Sequence, residues 1–358
     1  MRKILILLTI IVILPCFSIV CAAQGEVDKY VFDFEGILPE GFEDLTDADG
    51  IVEKADVGSL LSHIITVISG ERGSIATFFL LLLGSAMLIS LASNSQMGAS
   101  ETARSTVSVV CSILIFGSVS PLLNNISESI TSISNFFASL IPIILGITAL
   151  GGGVATASAQ AVGMYTALSA VGGVGVRLFL TISAFGLAVS LLSAVGNDNI
   201  SAVCRGLRSL FGWVCGIFTA IITAAFSLQT IVTSSLDSAS MRAVRYAASG
   251  LIPVVGSTVS GAISTLASGL SYAKSIIGGG AILVILYLSL SPLTLLLLYR
   301  LALTVATVFS DFADASAASG IFNSFRFSLD MMITVYALSA LIYLFEIIIF
   351  TVVGVAVL

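Results

Sequence analysis

Histidine is almost absent from this sequence: among 358 residues, His63 is the only one. It precedes the long apolar segments, so these segments can hold no histidine-dependent catalytic triad, no HExxH zinc site and no histidine-rich metal site. The chain also lacks a GxxxxGK[ST] loop, which excludes nucleotide hydrolysis through a P-loop. We therefore expect no catalytic residue, no metal site and no cofactor. Any work across a membrane must be driven by a gradient or by another subunit.

Charged residues make up only 9% of the chain, and most of the negative ones are confined to one short region. Of the 20 acidic residues, 11 lie between Glu26 and Asp56, where Lys29 and Lys54 are the only basic residues. The net charge of −6 therefore belongs mainly to that region. A basic patch is missing, which excludes a nucleic-acid partner.

Cysteine is scarce and is not placed to form a disulfide scaffold. Cys16 and Cys21 lie in or beside the first apolar run, and residues 24–73 contain no cysteine, so no disulfide can staple this segment. At roughly 50 residues, the segment is small for an independent core. We predict that residues 24–73 form an acidic extracytoplasmic extension.

The N-terminus has the pattern of a secretory signal peptide. Arg2 and Lys3 precede an apolar run, and Cys21, Ala22 and Ala23 supply small residues at the positions that a signal peptidase reads. We expect residues 1–23 to be cleaved near Ala23. The alternative is an uncleaved signal anchor, because the run approaches the length needed to span a bilayer.

Long apolar segments dominate the rest of the chain, which is 57% hydrophobic with a mean hydropathy of +1.13. They lack the alternation of barrel strands, and lipid leaves helices as the other solution for the backbone. We predict an all-α polytopic transmembrane helix bundle over residues 74–358, with an internal repeat and short interrupted or amphipathic helices. The candidate spans are Ser74–Ser93, Ser105–Leu123, Arg177–Val195, Ser209–Ser234, Ile276–Phe309 and Met331–Leu358.

Two segments allow more than one helical arrangement. Val57–Gly70 has apolar residues at helical spacing and could lie on the membrane surface, meet a partner or pack against the chain's own bundle, which we favour. Ile276–Phe309 could form two short helices broken near Pro292, or one bent crossing with an extra segment. We also interpret Gly151–Gly153 and Gly278–Gly280 as helix breaks.

Three short motifs recur in the same order and indicate an internal duplication. The halves cover about 94–204 and 205–330, and a final span covers 331–358. Pro142 and Pro253 occupy equivalent places. The matched pairs are Arg104–Cys111 with Arg208–Cys215, Leu140–Ile143 with Leu251–Val254, and Arg177–Thr181 with Arg300–Thr304. Duplicated halves are common in membrane transporters, whose interrupted helices lie between the repeats.

The segment Gly250–Lys274, GLIPVVGSTVSGAISTLASGLSYAK, combines apolar character with recurring serines and glycines. Pro253 suits a helix start or a break, and the residues from Ser257 onward have helical periodicity. Buried packing and a wet pathway lining are both compatible with this pattern. Its candidate packing or functional positions are Gly256, Gly261, Ser268 and Ser271.

Three ionisable residues lie within or beside apolar spans, where a charge is costly. Arg300 has apolar flanks on both sides, and Glu346 lies within YLFEIIIF. A pair between Arg300 and Glu346 would lower the cost of both charges. Arg177 follows GGVGV, and we expect it to extend to a membrane interface.

Three features carry a resemblance to a known family: the exported acidic N-terminus, the arginine-serine pairs at the starts of spans and above all ASGLIPVVG at Ala248–Gly256. In these features the sequence resembles the stage III sporulation protein AE family of endospore-forming bacteria. The resemblance extends through most of the mature chain. It implies a multi-pass mother-cell protein in the outer forespore membrane, within the engulfment-stage channel complex. It also implies as partners other stage III sporulation A-operon proteins, including an ATPase, and a forespore protein across the intermembrane space.

The expected function is a non-enzymatic membrane component of this channel or secretion complex. One alternative is a self-sufficient secondary transporter for a small solute, which the repeat permits. Another is a membrane scaffold that anchors partner proteins. The bilayer is a certain neighbour under each alternative, and the chain could also form a homo-oligomer.

Overall fold

The structure is a computed structural model that describes residues 57–94, 100–150, 154–192, 203, 205–229, 256–313 and 315–355. Within these ranges the chain is helical and contains no β-strand, which confirms the predicted all-α class. Within the described residues, six helical stretches are long and apolar enough to cross a membrane. The predicted signal peptide, the acidic cluster and Pro253 lie outside the described residues.

The described chain forms eight α-helices and one π-helical segment. Val154 to Leu192 is helical throughout, because the π segment joins its two α-helices. The elements are α1 Val57–Asn94, α2 Ser100–Val119, α3 Pro121–Leu150, α4 Val154–Leu168, the π segment Ser169–Gly175, α5 Val176–Leu192, α6 Arg205–Gln229, α7 Gly256–Phe312 and α8 Ser316–Val355.

Helices α7 and α8 form the centre of the bundle. They are joined by a tight connection and run antiparallel. Helix α1 runs parallel to α7, because Ser59 meets Tyr287 near one end and Ser90 meets Ala313 near the other. The buried core includes large side chains from several helices, among them Phe137, Phe179, Phe322, Phe325, Tyr336, Tyr343 and Phe350.

The predicted amphipathic segment Val57–Gly70 packs against the chain's own bundle. The Tyr287 hydroxyl donates a hydrogen bond to the Ser59 hydroxyl oxygen (2.9 Å), and the His63 ring meets the Tyr287 ring edge-on with centroids 5.1 Å apart. Helix α1 continues without interruption past residue 73. The backbone therefore has no break where we placed the start of the membrane domain.

Helix α7 continues through Gly278–Gly280 and Pro292, so the break predicted at the glycines is absent, and Ile276–Phe309 is not divided into two helices near Pro292. A proline has no N–H for the carbonyl four residues earlier, which here is that of Leu288. The Tyr336 hydroxyl from α8 donates a hydrogen bond to this oxygen (3.2 Å) and so replaces the missing donor. Gly278 has a packing role, since a Cβ there would lie 1.9 Å from Cγ2 of Thr351.

The segment Gly250–Lys274 is helical from Gly256 onward, as its periodicity predicted. Gly256, Gly261, Ser268 and Ser271 all lie on α7, but the side chains of the two serines are outside the described part of the structure. Buried packing and a wet lining both stay predictions from the sequence. Lys274 is buried, and its ammonium lies 4.7 Å from the centre of the Phe350 ring.

Two of the three repeated motif pairs lie on described helices. The arginine-to-cysteine motifs begin near the starts of α2 and α6, and the RLxLT motifs lie on α5 and α7. Pro142 lies inside α3, which continues through it, whereas its equivalent Pro253 is outside the described residues. The duplication remains a prediction from sequence.

Candidate functional site

A buried carboxylate lies inside the helical bundle at Glu346 of α8. The residue is only 1% exposed, and its Oε1 accepts a hydrogen bond of 2.7 Å from Nε2 of Gln229 at the end of α6. Its flanking residues in the sequence are apolar. Burial of a carboxylate is costly without polar partners. The Gln229 donor stabilises Glu346 when it is ionised, and also when its proton is on Oε2, because Oε1 accepts the hydrogen bond in both forms.

Gly163 of α4 makes room for this hydrogen bond. A Cβ at Gly163 would lie 2.0 Å from Oε1 and 2.4 Å from Nε2 of Gln229, closer than atoms can approach. The absent side chain thus creates the space in which the Gln229 carboxamide reaches Glu346. The three residues belong to three different helices, so their contact requires the assembled bundle.

A second buried carboxamide lies one helical turn before Gly163. Gln160 is fully buried, and its Oε1 accepts a hydrogen bond of 3.0 Å from the Thr148 hydroxyl of α3. We call Thr148, Gln160, Gln229 and Glu346 the polar seam, since they bring polar side chains from four helices into the apolar bundle. Among the described residues, neither Nε2 of Gln160 nor Oε2 of Glu346 has a hydrogen-bond partner.

Arg300 pairs with Asp330 and not with Glu346, the partner considered from the sequence. Its Nε donates to Oδ1 of Asp330, and its Nη2 lies 3.5 Å from Oδ2. Both side chains are partly exposed, at 25% for Arg300 and 42% for Asp330. The antiparallel register of α7 and α8 places Arg300 opposite Asp330, which is 16 residues before Glu346 (346 − 330 = 16).

Further arginines lie at the height of this ion pair. Arg326 is one turn before Asp330 on α8, and the Arg208 guanidinium of α6 lies 4.5 Å from the centre of the Phe327 ring. Arg205 precedes Arg208 by one turn. We call Arg205, Arg208, Arg300, Arg326 and Asp330 the basic belt. Arg177 is not part of it and lies exposed on α5.

The basic belt and the polar seam lie at different depths of the bundle. At 1.5 Å per residue, Glu346 lies about 24 Å along α8 from Asp330. Phe350, which Lys274 contacts, lies 20 residues from Asp330 (350 − 330 = 20), or about 30 Å, which is the thickness of a bilayer's hydrocarbon core. Along α8, two levels that contain positive charges are therefore about one bilayer thickness apart, and the polar seam lies nearer the Lys274 level.

Sequence reasoning identified Arg300 and Glu346 but missed their partners. Asp330 adjoins the predicted span that begins at Met331, and Gln160 and Gln229 interrupt otherwise apolar or small-residue runs. These interruptions were the available signal. Neutral carboxamides suit hydrogen bonding to a carboxyl neighbour or to a polar solute, and no described seam residue is a covalent nucleophile poised beside a base.

Comparison with known proteins places this arrangement in a family. A family model described as Stage III sporulation protein AE matches residues 47–355. A curated relative, Stage III sporulation protein AE of Bacillus subtilis (strain 168), is 22% identical over 303 residues, which cover 79% of this chain and 76% of the relative. No solved structure matches. Because the family match includes every described helix, and with them the polar seam and the basic belt, the chain belongs to the Stage III sporulation protein AE family.

Proposed function

We propose that this protein is a non-enzymatic membrane component of the mother cell–forespore channel or secretion complex that endospore development requires. Its family supports a role in sporulation, and its six long apolar helices support a multi-pass membrane location. Within the sporulating cell, the proposed location is the mother-cell membrane that surrounds the forespore. The proposed partners are other stage III sporulation A-operon proteins, including an ATPase, and a forespore protein across the intermembrane space.

The buried Gln229–Glu346 hydrogen bond is the observation that best supports a role in passage across the membrane. A bundle selected only for stability would be served as well, or better, by apolar residues of similar volume. Ionisable residues inside membrane helices are therefore candidates for transport pathways or proton relays. Gly163 is fitted to this hydrogen bond, and the second carboxamide on α4 extends the polar character towards α3.

A self-sufficient secondary transporter is the second candidate, and the same polar seam favours it. Such transporters usually bind substrate where helices are interrupted, whereas α7 continues through both positions at which the sequence indicated a break. This continuity favours the complex component. Solute uptake by liposomes that contain this chain alone would support the transporter. A scaffold would tolerate changes in the polar seam that leave assembly intact.

The substitution Gly163→Ala tests the proposal without removing a polar group. The added methyl group collides with the far end of the Gln229 side chain, which can rotate away, so we expect loss of the hydrogen bond to Glu346 while the bundle remains folded. Gln229→Leu should produce the same defect. Gly146→Ala is the matched control, because a Cβ at Gly146 meets nothing within 4 Å.

The measurements are the amount of protein in the membrane, co-purification with the A-operon proteins and expression of a late forespore reporter. We expect both seam variants to accumulate and co-purify normally but to lower reporter expression strongly, while Gly146→Ala matches the wild type. Normal reporter expression in both seam variants would reject a role for the polar seam in passage. Loss of co-purification would instead indicate an assembly role.

A further inference from the structure

An open groove of about 640 Å³ follows the outer face of α6. Arg205 and Arg208 lie at one end, and Gly212, Trp213, Gly216 and Ile217 line the rest. These residues recur at intervals of three and four and therefore form one stripe of the helix. Among the described candidate spans α6 is the least covered: 17% of its most apolar window is buried, against 61% for α8.

We propose that this groove binds one anionic phospholipid, with the phosphate at Arg205 and Arg208 and an acyl chain along Gly212 and Gly216. Basic pockets at the ends of membrane helices are suited to anionic headgroups. The Phe327 ring covers the face of the Arg208 guanidinium, while guanidinium N–H donors point outward in its plane. Arg208 can therefore keep its ring contact and bind a phosphate oxygen.

The length and chemistry of the groove favour a lipid over a free phosphate. From Arg205 to Ile217 the helix rises about 18 Å, slightly more than half of the ~30 Å hydrocarbon core, and so about one leaflet. Beyond Ser209 the lining residues offer apolar surface, which a free anion would not use. Trp213, which is 72% exposed, lies about one turn beyond Arg208, a depth at which tryptophan is common in membrane proteins.

The basic belt places the headgroup end of the groove at a membrane boundary. Arg300, Arg326 and Asp330 lie at the height of Phe327, which Arg208 contacts. The apolar part of the groove runs from this level towards the polar seam, because α6 is parallel to α8 and ends with Gln229 beside Glu346. Headgroup and tail would therefore lie in the order that the bilayer imposes.

The test is native mass spectrometry of the purified full-length chain, titrated in detergent with phosphatidylglycerol or with neutral phosphatidylcholine. We expect tighter retention of phosphatidylglycerol. With both arginines changed in Arg205→Gln/Arg208→Gln, the phosphatidylglycerol concentration for half occupancy should rise about 20- to 30-fold, since each arginine near an anionic lipid contributes about fivefold. Retention of phosphatidylcholine should not change.

Three further variants separate specific binding from loss of charge or of fold. Arg104→Gln/Arg177→Gln removes two exposed arginines elsewhere and should leave phosphatidylglycerol retention unchanged. Gly216→Leu should fill the groove and lower retention with both arginines present, because a Cβ at Gly216 meets nothing of its own chain within 4 Å. Gly84→Leu, on an equally open position of α1, is its control.

Each other outcome overturns the proposal. Equal retention of the two lipids, or equal losses in the Arg205/Arg208 and Arg104/Arg177 variants, would exclude a built site for an anionic headgroup. If the wild type is a dimer that Gly216→Leu converts to a monomer while the arginine variants stay dimeric, the groove is occupied by a second copy. The spacing of Gly212 and Gly216 is the one that allows two membrane helices to approach closely. The same mass spectra therefore also show whether the chain is a monomer or a dimer.

Discussion

Arg300 and Asp330 show how one residue's role depends on a neighbour that lies far along the chain. Each charge is partly covered by the bundle, and each provides the other's hydrogen-bonding partner. Removal of one charge leaves the other charge without an ion-pair partner in a partly covered position, which is costly. Removal of both charges leaves no unpaired charge.

We therefore expect Arg300→Leu to destabilise the protein and Arg300→Leu/Asp330→Leu to recover most of the loss. Because both side chains are partly exposed, the single substitution should cost about 1–2 kcal/mol, between the values for exposed and buried pairs. Membrane accumulation after a shift to elevated temperature measures the effect. Arg177→Leu is the control, since Arg177 is exposed on α5. Additive losses in the double variant would show that the pair is not coupled.

The sequence was sufficient to select Arg300 and Glu346 but not to pair them. A charge inside an apolar run is conspicuous because its burial is costly, whatever the fold. The partner depends on how each helix is rotated and which helices are adjacent. In a lipid-exposed bundle, apolar residues surround every face of a helix, so periodicity does not specify that rotation. Gln229 and Gly163 escaped notice for the same reason.

Helix α7 shows how a proline can be accommodated within a long helix. The carbonyl of Leu288 has lost its helical donor at Pro292, and the Tyr336 hydroxyl of α8 supplies another. Tyr336 is fully buried, so no bulk water competes for this oxygen.

Tyr336→Phe should destabilise the protein by about 1–3 kcal/mol, the cost of leaving a buried carbonyl without a donor. In a Pro292→Ala background the same change should cost much less, because alanine restores the backbone N–H. Thermal unfolding in detergent, followed by circular dichroism, gives the four values of this double-mutant cycle. An equal cost of Tyr336→Phe in both backgrounds would contradict the compensation.

At the scale of helices, apolar length and composition predicted where six spans lie, and the structure has a long helix at each. The predicted interruption at Gly278–Gly280 was wrong, and of the two arrangements considered for Ile276–Phe309 the one broken near Pro292 is absent, for a physical reason. Glycine and proline lower helix propensity locally, but packing against Thr351 and the Tyr336 hydroxyl offsets this cost. Such compensation comes from residues about 50 or more positions away, so a local reading of the sequence does not contain it.

The whole molecule is longer than one bilayer is thick. Helix α7 has 57 residues and spans about 85 Å, whereas the hydrocarbon core is about 30 Å thick. The basic belt divides this length. We expect the part between the belt and the Lys274 level to lie in the membrane, where α6 and the polar seam are. The part of α1 beyond Phe78 lies on the other side of the belt, next to the connection between α7 and α8, and it carries exposed apolar side chains such as Leu80 and Leu91.

This placement predicts that Arg104 and Arg208 lie on the same, cytoplasmic side of the membrane. Two candidate spans separate them, an even number, which also agrees with a parallel repeat. In a background without the five native cysteines, Arg104→Cys and Arg208→Cys should react with an impermeant thiol reagent only from the cytoplasmic face. Leu150→Cys, at the end of α3 near the polar seam, should react only from the opposite face. If Arg104→Cys reacted from the face opposite the cytoplasm, the membrane would instead surround the ends of α1 and α2 that lie beyond the basic belt.

Trp213 gives the molecule a built-in optical reporter. It is the only tryptophan in the chain, so selectively excited indole fluorescence comes from a single position, on the wall of the α6 groove. Its emission wavelength measures how much water reaches that wall. Quenching by brominated acyl chains, compared with quenching by aqueous iodide, would show whether hydrocarbon or solvent touches the ring. What covers this wall can thus be followed in unlabelled protein, both in detergent and in the membrane.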